Sequence, residues 1–243
     1  MSKIAIIAAL ERELRPLVRS WKPATLTHNG RSFPAYQHED LVALIGGIGC
    51  HAAQLAAQAA VAQYAPQMLI SAGVAGALMR SLKVGNIITP NVIMNSASGT
   101  EYRCDQGGGI LVTAGEIAGN TSKQALVEKF HALAVDMEAA AVAEVAKNAR
   151  IGFRCVKAIS DEADFLMPPL QRFVDAEGNF QTSRFLAWAA LRPQYWPRVA
   201  ALARNSKHAA QALCEWLREQ LAHGLPPATV VTLERAEFLE AKH

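Results

Sequence analysis

Apolar and polar positions along this chain switch between two periods. Lys3 to Ala9 is a β-rich apolar run that predicts a strand, and Glu11 to Arg19 has helical spacing, with Leu14, Leu17 and Val18 on one side and a Glu11/Arg15 pair on the other. Phe33 to His38 and Leu41 to Gly46 predict paired strands about an acidic turn at Glu39 and Asp40. Cys50 to Tyr64 is an alanine-rich helix. Gln67 to Gly73, Gly85 to Thr89 and Asn91 to Met94 predict further strands, edged by Pro66 and Pro90. Ile110 to Thr113 is a strand, Thr121 to Phe130 a helix, Leu133 to Met137 a strand, Glu138 to Lys147 a helix, and Gly152 to Ile159 a buried strand. Strands alternating with helices are the signature of an α/β domain.

Two stretches depart from that alternation. Asn95 to Gly109 is polar and glycine-rich, which predicts a mobile loop with no core of its own. After Pro168 and Pro169 a loop leads to a helical region broken by Pro193 and Pro197. A last helix from Ser206 to Leu221 puts Ala210, Leu213, Leu217 and Leu221 on one face. One catalytic domain over residues 1–223 and a loosely attached tail over 224–243 are expected.

Composition narrows the class. The 243 residues are 51% hydrophobic, enough for one well-filled core, and 24 Lys plus Arg against 21 Asp plus Glu leaves a net charge of +3, which gives no support for nucleic-acid binding. The four cysteines, Cys50, Cys104, Cys155 and Cys214, have no metal-like spacing and predict reduced thiols. The first apolar run meets Glu11 and Arg12 too soon for a signal peptide or a membrane span, so a cytoplasmic location is expected.

The candidate chemistry lies where apolar runs stop. Glu13 follows the first strand, Glu138 opens a helix after a strand, and Asp161 follows another; carboxylates there suggest a site at the strand ends. At its helix N-terminus Glu138 is either an ionised acceptor for sugar hydroxyls or a cap. Asp161, held by Ser160, is either an acid with a pKa raised by burial or an N-cap. Glu13 also fits a solvated helix face. LISAGVAGAL, Leu69 to Leu78, predicts a strand running into a glycine turn; GGIGCHAAQLAA, from Gly46, predicts a glycine turn whose helix amides face an anion or a sugar hydroxyl. Either turn also occurs without a ligand.

In order, AALERE, GGIG, AGVAG, VDMEAAAVA and KAISDEAD resemble the 5′-methylthioadenosine/S-adenosylhomocysteine nucleosidases of the nucleoside phosphorylase superfamily, over roughly residues 3–165. The resemblance implies a three-layer α/β/α sandwich with a central mixed twisted sheet, usually a homodimer, that cleaves an N-ribosidic bond without metal or organic cofactor. It implies that Asp161 protonates the purine at N7, that Glu13 holds and deprotonates the attacking water, and that Met137 and Glu138 bind ribose. Leu10, Ile48, Gly73, Val74, Ala118, Asp136, Ser160 and Phe165 complete the expected substrate contacts. A purine leaves poorly until protonated, and a developing oxocarbenium needs a nearby anion, so the assigned roles are chemically consistent. Methionine salvage is one pathway such an activity serves.

Departures from the family shape the expectation further. Val74 stands where these enzymes usually have a hydroxyl, and Ser71 where many phosphorylases hold phosphate with arginine, so hydrolysis is expected; Arg12, Arg15 or Arg31 would have to supply any other phosphate grip. The Asn95 to Gly109 loop replaces a longer family segment, and Ala118 stands in place of a stacking phenylalanine. This implies a pocket more open on the 5′ side, with Phe165, Leu166 and Met167 as a replacement apolar wall. Trp188 to Leu213 is similar to the ending of hopanoid-associated phosphorylase-like proteins, implicated in releasing adenine from an adenosyl lipid. Trp188, Tyr195 and Trp196 beside Arg192, Arg198 and Arg204 fit ordinary helix packing first, an interface or an anionic membrane second. Three readings stay open: a hydrolase acting on a 5′-substituted adenosine, a phosphorylase, and a silent nucleoside-binding module.

Overall fold

The computed structural model describes residues 4–105, 107–225 and 230–233. β1 (Ile4–Ala8) leads into α1 (Glu11–Val18), and β2 (Lys22–His28), β3 (Arg31–His38) and β4 (Leu41–Ile45) form a meander before α2 (Cys50–Tyr64). Then come β5 (Met68–Ala77), β6 (Ile87–Ile88), β7 (Val92–Asn95), β8 (Glu101–Cys104), β9 (Ile110–Thr113), α3 (Asn120–Phe130), β10 (Ala134–Asp136), α4 (Ala139–Ala149) and β11 (Gly152–Asp161). A 3₁₀ turn (Leu170–Phe173), α5 (Thr182–Ala190), a second 3₁₀ turn (Pro193–Tyr195), α6 (Trp196–His223) and β12 (Val230–Leu233) complete the described chain.

The strands form one mixed sheet whose main path runs β12-β8-β7-β9-β10-β5-β1-β4-β3-β2, with β11 pairing β5 and β6. Alternation along the central strands sends successive side chains to opposite faces. Ala5, Ile7, Val42, Leu44, Leu69 and Phe153 join the cluster under α2 and α4, while Ile6, Ala8, Ala43, Ile70 and Val156 join the one under α1 and α6. Both faces are covered, which is why these strands read as unbroken apolar runs. The α/β/α sandwich expected from sequence is the observed architecture.

β5 positions the site. Its first half pairs in parallel with β1, Met68 to Ser71 opposite Ile4 to Ile7, and its far end pairs antiparallel with β10 at Gly76 and Ala77. β11 follows the opposite edge from Met68 to Gly76. The strand neighbours therefore change along one edge of β5, and such a switch opens a crevice at the strand ends.

Several expectations need correction. Gly73 and Gly76 lie inside β5 rather than in a turn; the Glu13 and Asp161 carboxylates press on the strand there, 3.1 and 2.9 Å from where a Cβ would stand. Part of the predicted Asn95 to Gly109 loop is β8, whose Tyr102 and Cys104 are buried, so this stretch has a core after all. β2 was not anticipated; it pairs residue for residue with β3 from Lys22↔Gln37 to His28↔Arg31. Pro197 does not break a helix but sits at the start of the 28-residue α6, where a missing N–H costs nothing. Of the tail expected at 224–243, residues 226–229 and 234–243 lie outside the described residues, while Val230–Leu233 pairs with β8. The four cysteines are free thiols.

Candidate active site

Glu13 is the third residue of α1. Its carboxylate folds back to accept the Leu10 N–H at 3.3 Å, while the Glu13 N–H bonds the Leu10 carbonyl at 3.0 Å. That reciprocal cap turns the side chain inward, where it is buried against β5: a Cβ on Gly73 would stand 3.1 Å from Glu13 Oε2 and 3.7 Å from Lys157 Nζ. Burial raises the Glu13 pKa, opposed chiefly by the Lys157 charge.

Asp136 ends β10 and Glu138 caps α4. Asp136 is buried, accepts hydrogen bonds from Thr113 Oγ1 at 2.7 Å and the Ala139 N–H at 2.9 Å, and pairs with Lys157 Nζ at 2.9 Å. Glu138 faces the cleft and accepts the Gly49 N–H at 2.8 Å and, more weakly, the Met137 N–H at 3.3 Å. The Gly46–Gly49 turn does open α2, with Gly47 and Gly49 at φ of 101° and 96°, but its Gly49 amide is spent on Glu138 rather than left for a ligand. Burial first, then the Asp136 charge, pushes the Glu138 carboxyl from its ordinary 4.5 up to about 7. Lys157 lies fully buried in β11; burial would depress it, and Asp136 with Glu138 more than reverse that, holding the ammonium above the ordinary lysine range.

Asp161 and Ser160 stand at the end of β11. Ser160 Oγ donates to Asp161 Oδ1 at 2.8 Å, as expected from sequence, and Lys123 Nζ of α3, a partner the sequence did not reveal, meets Asp161 Oδ2 at 2.6 Å, with both side chains 4% exposed. A Cβ on Gly76 would lie 2.9 Å from Asp161 Oδ2, so only glycine lets the carboxylate rest on β5.

These groups converge on a single cleft of 160 Å³, lined by Glu13, Glu138, Asp161, Asp136, Met137, Ser160, Ile48, Leu10, Val74 and Ala118. Gly73 stands behind Glu13. Phe165 is the exception: together with Leu166, half exposed, it does not line the cleft, and Met167, Leu170, Phe180 and Leu202 form the apolar wall. The Phe165 N–H closes a tight turn onto the Glu162 carbonyl at 3.1 Å. Leu170, Phe180 and Leu202 also line an adjoining apolar groove of 790 Å³ between α1, α5 and α6, walled by Phe185, Leu186 and Val199 and edged by Arg12, Arg15 and Arg19. Among the arginines considered for phosphate, Arg31 is committed to the Gly46 and Glu177 carbonyls at 2.7 and 2.6 Å. Trp188 is half-buried in an aromatic cluster with Phe173, Phe185 and Tyr195, its ring under Arg192, whereas Trp196 is 54% exposed.

Lys157 and Lys123 were missed from sequence. A lysine inside the apolar run FRCVKAIS was a legible signal, since an ammonium is not buried without a partner. Lys123 sits in TSKQAL, where nothing distinguishes it from a solvated helix residue. Among the described residues, no group of His, Cys, Asp and Glu has a metal-holding arrangement, and no helix is long and apolar enough to cross a membrane.

The family model of the phosphorylase superfamily matches residues 3–109 and 91–190 of this chain. A 5′-methylthioadenosine/S-adenosylhomocysteine nucleosidase of Bacillus thuringiensis is 28% identical over 228 residues, covering 78% of this chain and 94% of its own. An aminodeoxyfutalosine nucleosidase of Campylobacter jejuni is 26% identical over 199 residues, covering 67% and 87%. The solved futalosine hydrolase of Helicobacter pylori superposes with a TM-score of 0.69 at 16% identity, over 92% of this chain and 98% of that one, which shows a common fold.

Proposed function

Because the chain belongs to the phosphorylase superfamily, we propose that this cleft hydrolyses the N-ribosidic bond of a 5′-substituted adenosine and releases adenine. The observation that carries this reading is the convergence of Glu13, Glu138 and Asp161, from three separate elements, on one cleft beside Met137. The relatives named as nucleosidases support the reaction class. In this reading Glu138 and Met137 hold the ribose, Glu13 takes a proton from the attacking water, and the Asp161 end serves the purine. Burial raises Glu13, which suits a base that must accept that proton. Asp136 anchors Lys157 and stays structural.

Within the 5′ substituents considered, the apolar groove running on from the cleft past Leu170, Phe180 and Leu202 supports a bulky apolar group, as in an adenosyl lipid, over a small methylthio group. A homodimer in the cytoplasm is part of the same proposal; light scattering of the purified protein tests the dimer. Chromatographic detection of adenine tests the reaction, with methylthioadenosine, adenosylhomocysteine, adenosine and a 5′-alkyl adenosine each given with and without phosphate. Release without phosphate, greatest for the long alkyl group, is expected. Release only with phosphate would make the protein a phosphorylase, and no release from any substrate would favour a silent binding module.

A further inference from the structure

The apolar groove and the cleft share Arg12, Leu170, Phe180, Leu202 and Ser206, so the two form one continuous trough. Its rim carries charge of one sign. Arg12, Arg15 and Arg19 follow one another at helical spacing from α1, Lys207 lines the groove from α6, and no Asp or Glu is among the described residues that line it. The wall that α5 and α6 supply has the same bias. Residues 178–214 contain Arg184, Arg192, Arg198, Arg204 and Lys207 and no carboxylate, in a chain whose 24 Lys plus Arg are nearly balanced by 21 Asp plus Glu. On this wall Leu186, Leu191 and Trp196 are all exposed. The Trp196 indole N–H donates to the Ala189 carbonyl at 2.9 Å, which fixes the ring at the junction of α5 and α6. A contiguous apolar surface of this kind is rarely left to water and marks a face that something covers.

A second copy of the chain fits that face poorly, because a two-fold contact through it would set one stripe of cations against the other. A bilayer with anionic headgroups supplies both things the face takes: phosphates for the rim and hydrocarbon for the floor. Tryptophan beside arginine also suits the boundary between headgroups and acyl chains. We propose that the face formed by α1, α5 and α6 docks on the surface of an anionic phospholipid bilayer. Arg12, Arg15, Arg19 and Lys207 meet the headgroups, and Leu186, Leu191 and Trp196 enter the interface beside them. The groove then opens onto hydrocarbon, and a 5′-linked alkyl chain passes into the cleft without crossing water. That last role rests on the nucleosidase reading; the docking itself does not.

The test is flotation of the purified full chain with phosphatidylcholine vesicles, with and without about a third of phosphatidylglycerol, at about 0.1 M and about 0.5 M salt. Binding to the anionic vesicles about tenfold or more above the neutral ones, lost at the higher salt, is expected. Arg15→Gln/Arg19→Gln should weaken it about thirtyfold, the loss for two cations at a membrane surface. Leu191→Ser/Trp196→Ser should weaken it about tenfold while adenine release from dissolved methylthioadenosine stays within about twofold. Lys129→Gln/Lys147→Gln, the same charge change on α3 and α4, should alter binding less than about twofold. Equal binding to neutral and anionic vesicles, binding to neither, or a loss in the α3/α4 pair as large as in the arginine pair overturns the docking. All four positions of the first two pairs are exposed, so failure of both pairs to fold overturns it as well. A change from dimer to monomer in Leu191→Ser/Trp196→Ser by light scattering would give the face to a second copy and likewise overturn it. Vesicle binding without adenine release from any nucleoside leaves the docking standing and is instead a failure of the nucleosidase reading.

Discussion

The two ends of the cleft each bury a lysine, but they are charged differently. At the end proposed to hold the ribose, Lys157 serves Asp136, Glu138 and Glu13, so three carboxylates share one ammonium, and both Glu13 and Glu138 are raised above their ordinary values. At the end proposed to hold the purine, Lys123 and Asp161 form an ion pair of their own. The contrast matches what the proposed reaction needs: surplus negative charge where a cation develops on the sugar, and a proton donor where the base departs. It also teaches that a buried lysine is an adjustable component, neutralising a carboxylate surplus at one end and facing a single partner at the other.

The largest expected effect comes from breaking the ribose end. Lys157→Met strands buried carboxylates and should cost about 3–5 kcal/mol of stability in urea unfolding; a loss below about 1 kcal/mol would mean that the cluster is far wetter than its burial indicates. Next is Asp161→Asn, which keeps shape and removes charge. Adenine release should fall about 10²–10⁴-fold while circular dichroism is unchanged, and near-normal turnover would remove Asp161 from the mechanism.

Glu138→Gln probes the ribose end more gently. A protonated Glu138 accepts sugar hydroxyls poorly, so KM of the native enzyme should fall as pH rises through about 7. The variant should show a KM raised on the order of tenfold and flat across that range. The same group sets a stability trend of opposite use: its folded pKa exceeds the ordinary 4.5, so its contribution is full below 4.5 and is lost as pH rises toward about 7. Denaturation across that window, native against Glu138→Gln, reads the difference directly.

Gly76→Ala sharpens the comparison at the purine end, since its Cβ would sit 2.9 Å from Asp161 Oδ2. A loss of about tenfold in kcat with little change in KM is expected, as for a small misplacement of reacting groups. The smallest effect belongs far from either end: Leu191→Ser, at an 81% exposed position, should change stability by no more than about 0.5 kcal/mol and leave turnover unaltered.

Much of this was legible in the chain, for reasons particular residues make plain. IAIIA, LVALI and FRCVKAIS read as strands because both faces of the sheet are covered, and CHAAQLAAQAAVAQY as a helix because alanine lets it lie close on the sheet. β8 was hidden because EYRC is short and set among glycines, and β2 because KPATLTH holds a proline and gains its stability from pairing with β3. The carboxylates announced themselves by standing where apolar runs end. Phe165 was misplaced because apolar character alone does not reveal which way a loop turns.

Local order, periodicity and the position of the three acids follow from sequence alone, since they depend on neighbours within a few residues. What only the tertiary structure decided is which charges meet. Lys123 reaches Asp161 across 38 positions and Gly49 reaches Glu138 across 89, contacts set by the changing partners of β5. Their energies depend on burial and distance, quantities that exist only once the chain has closed around them.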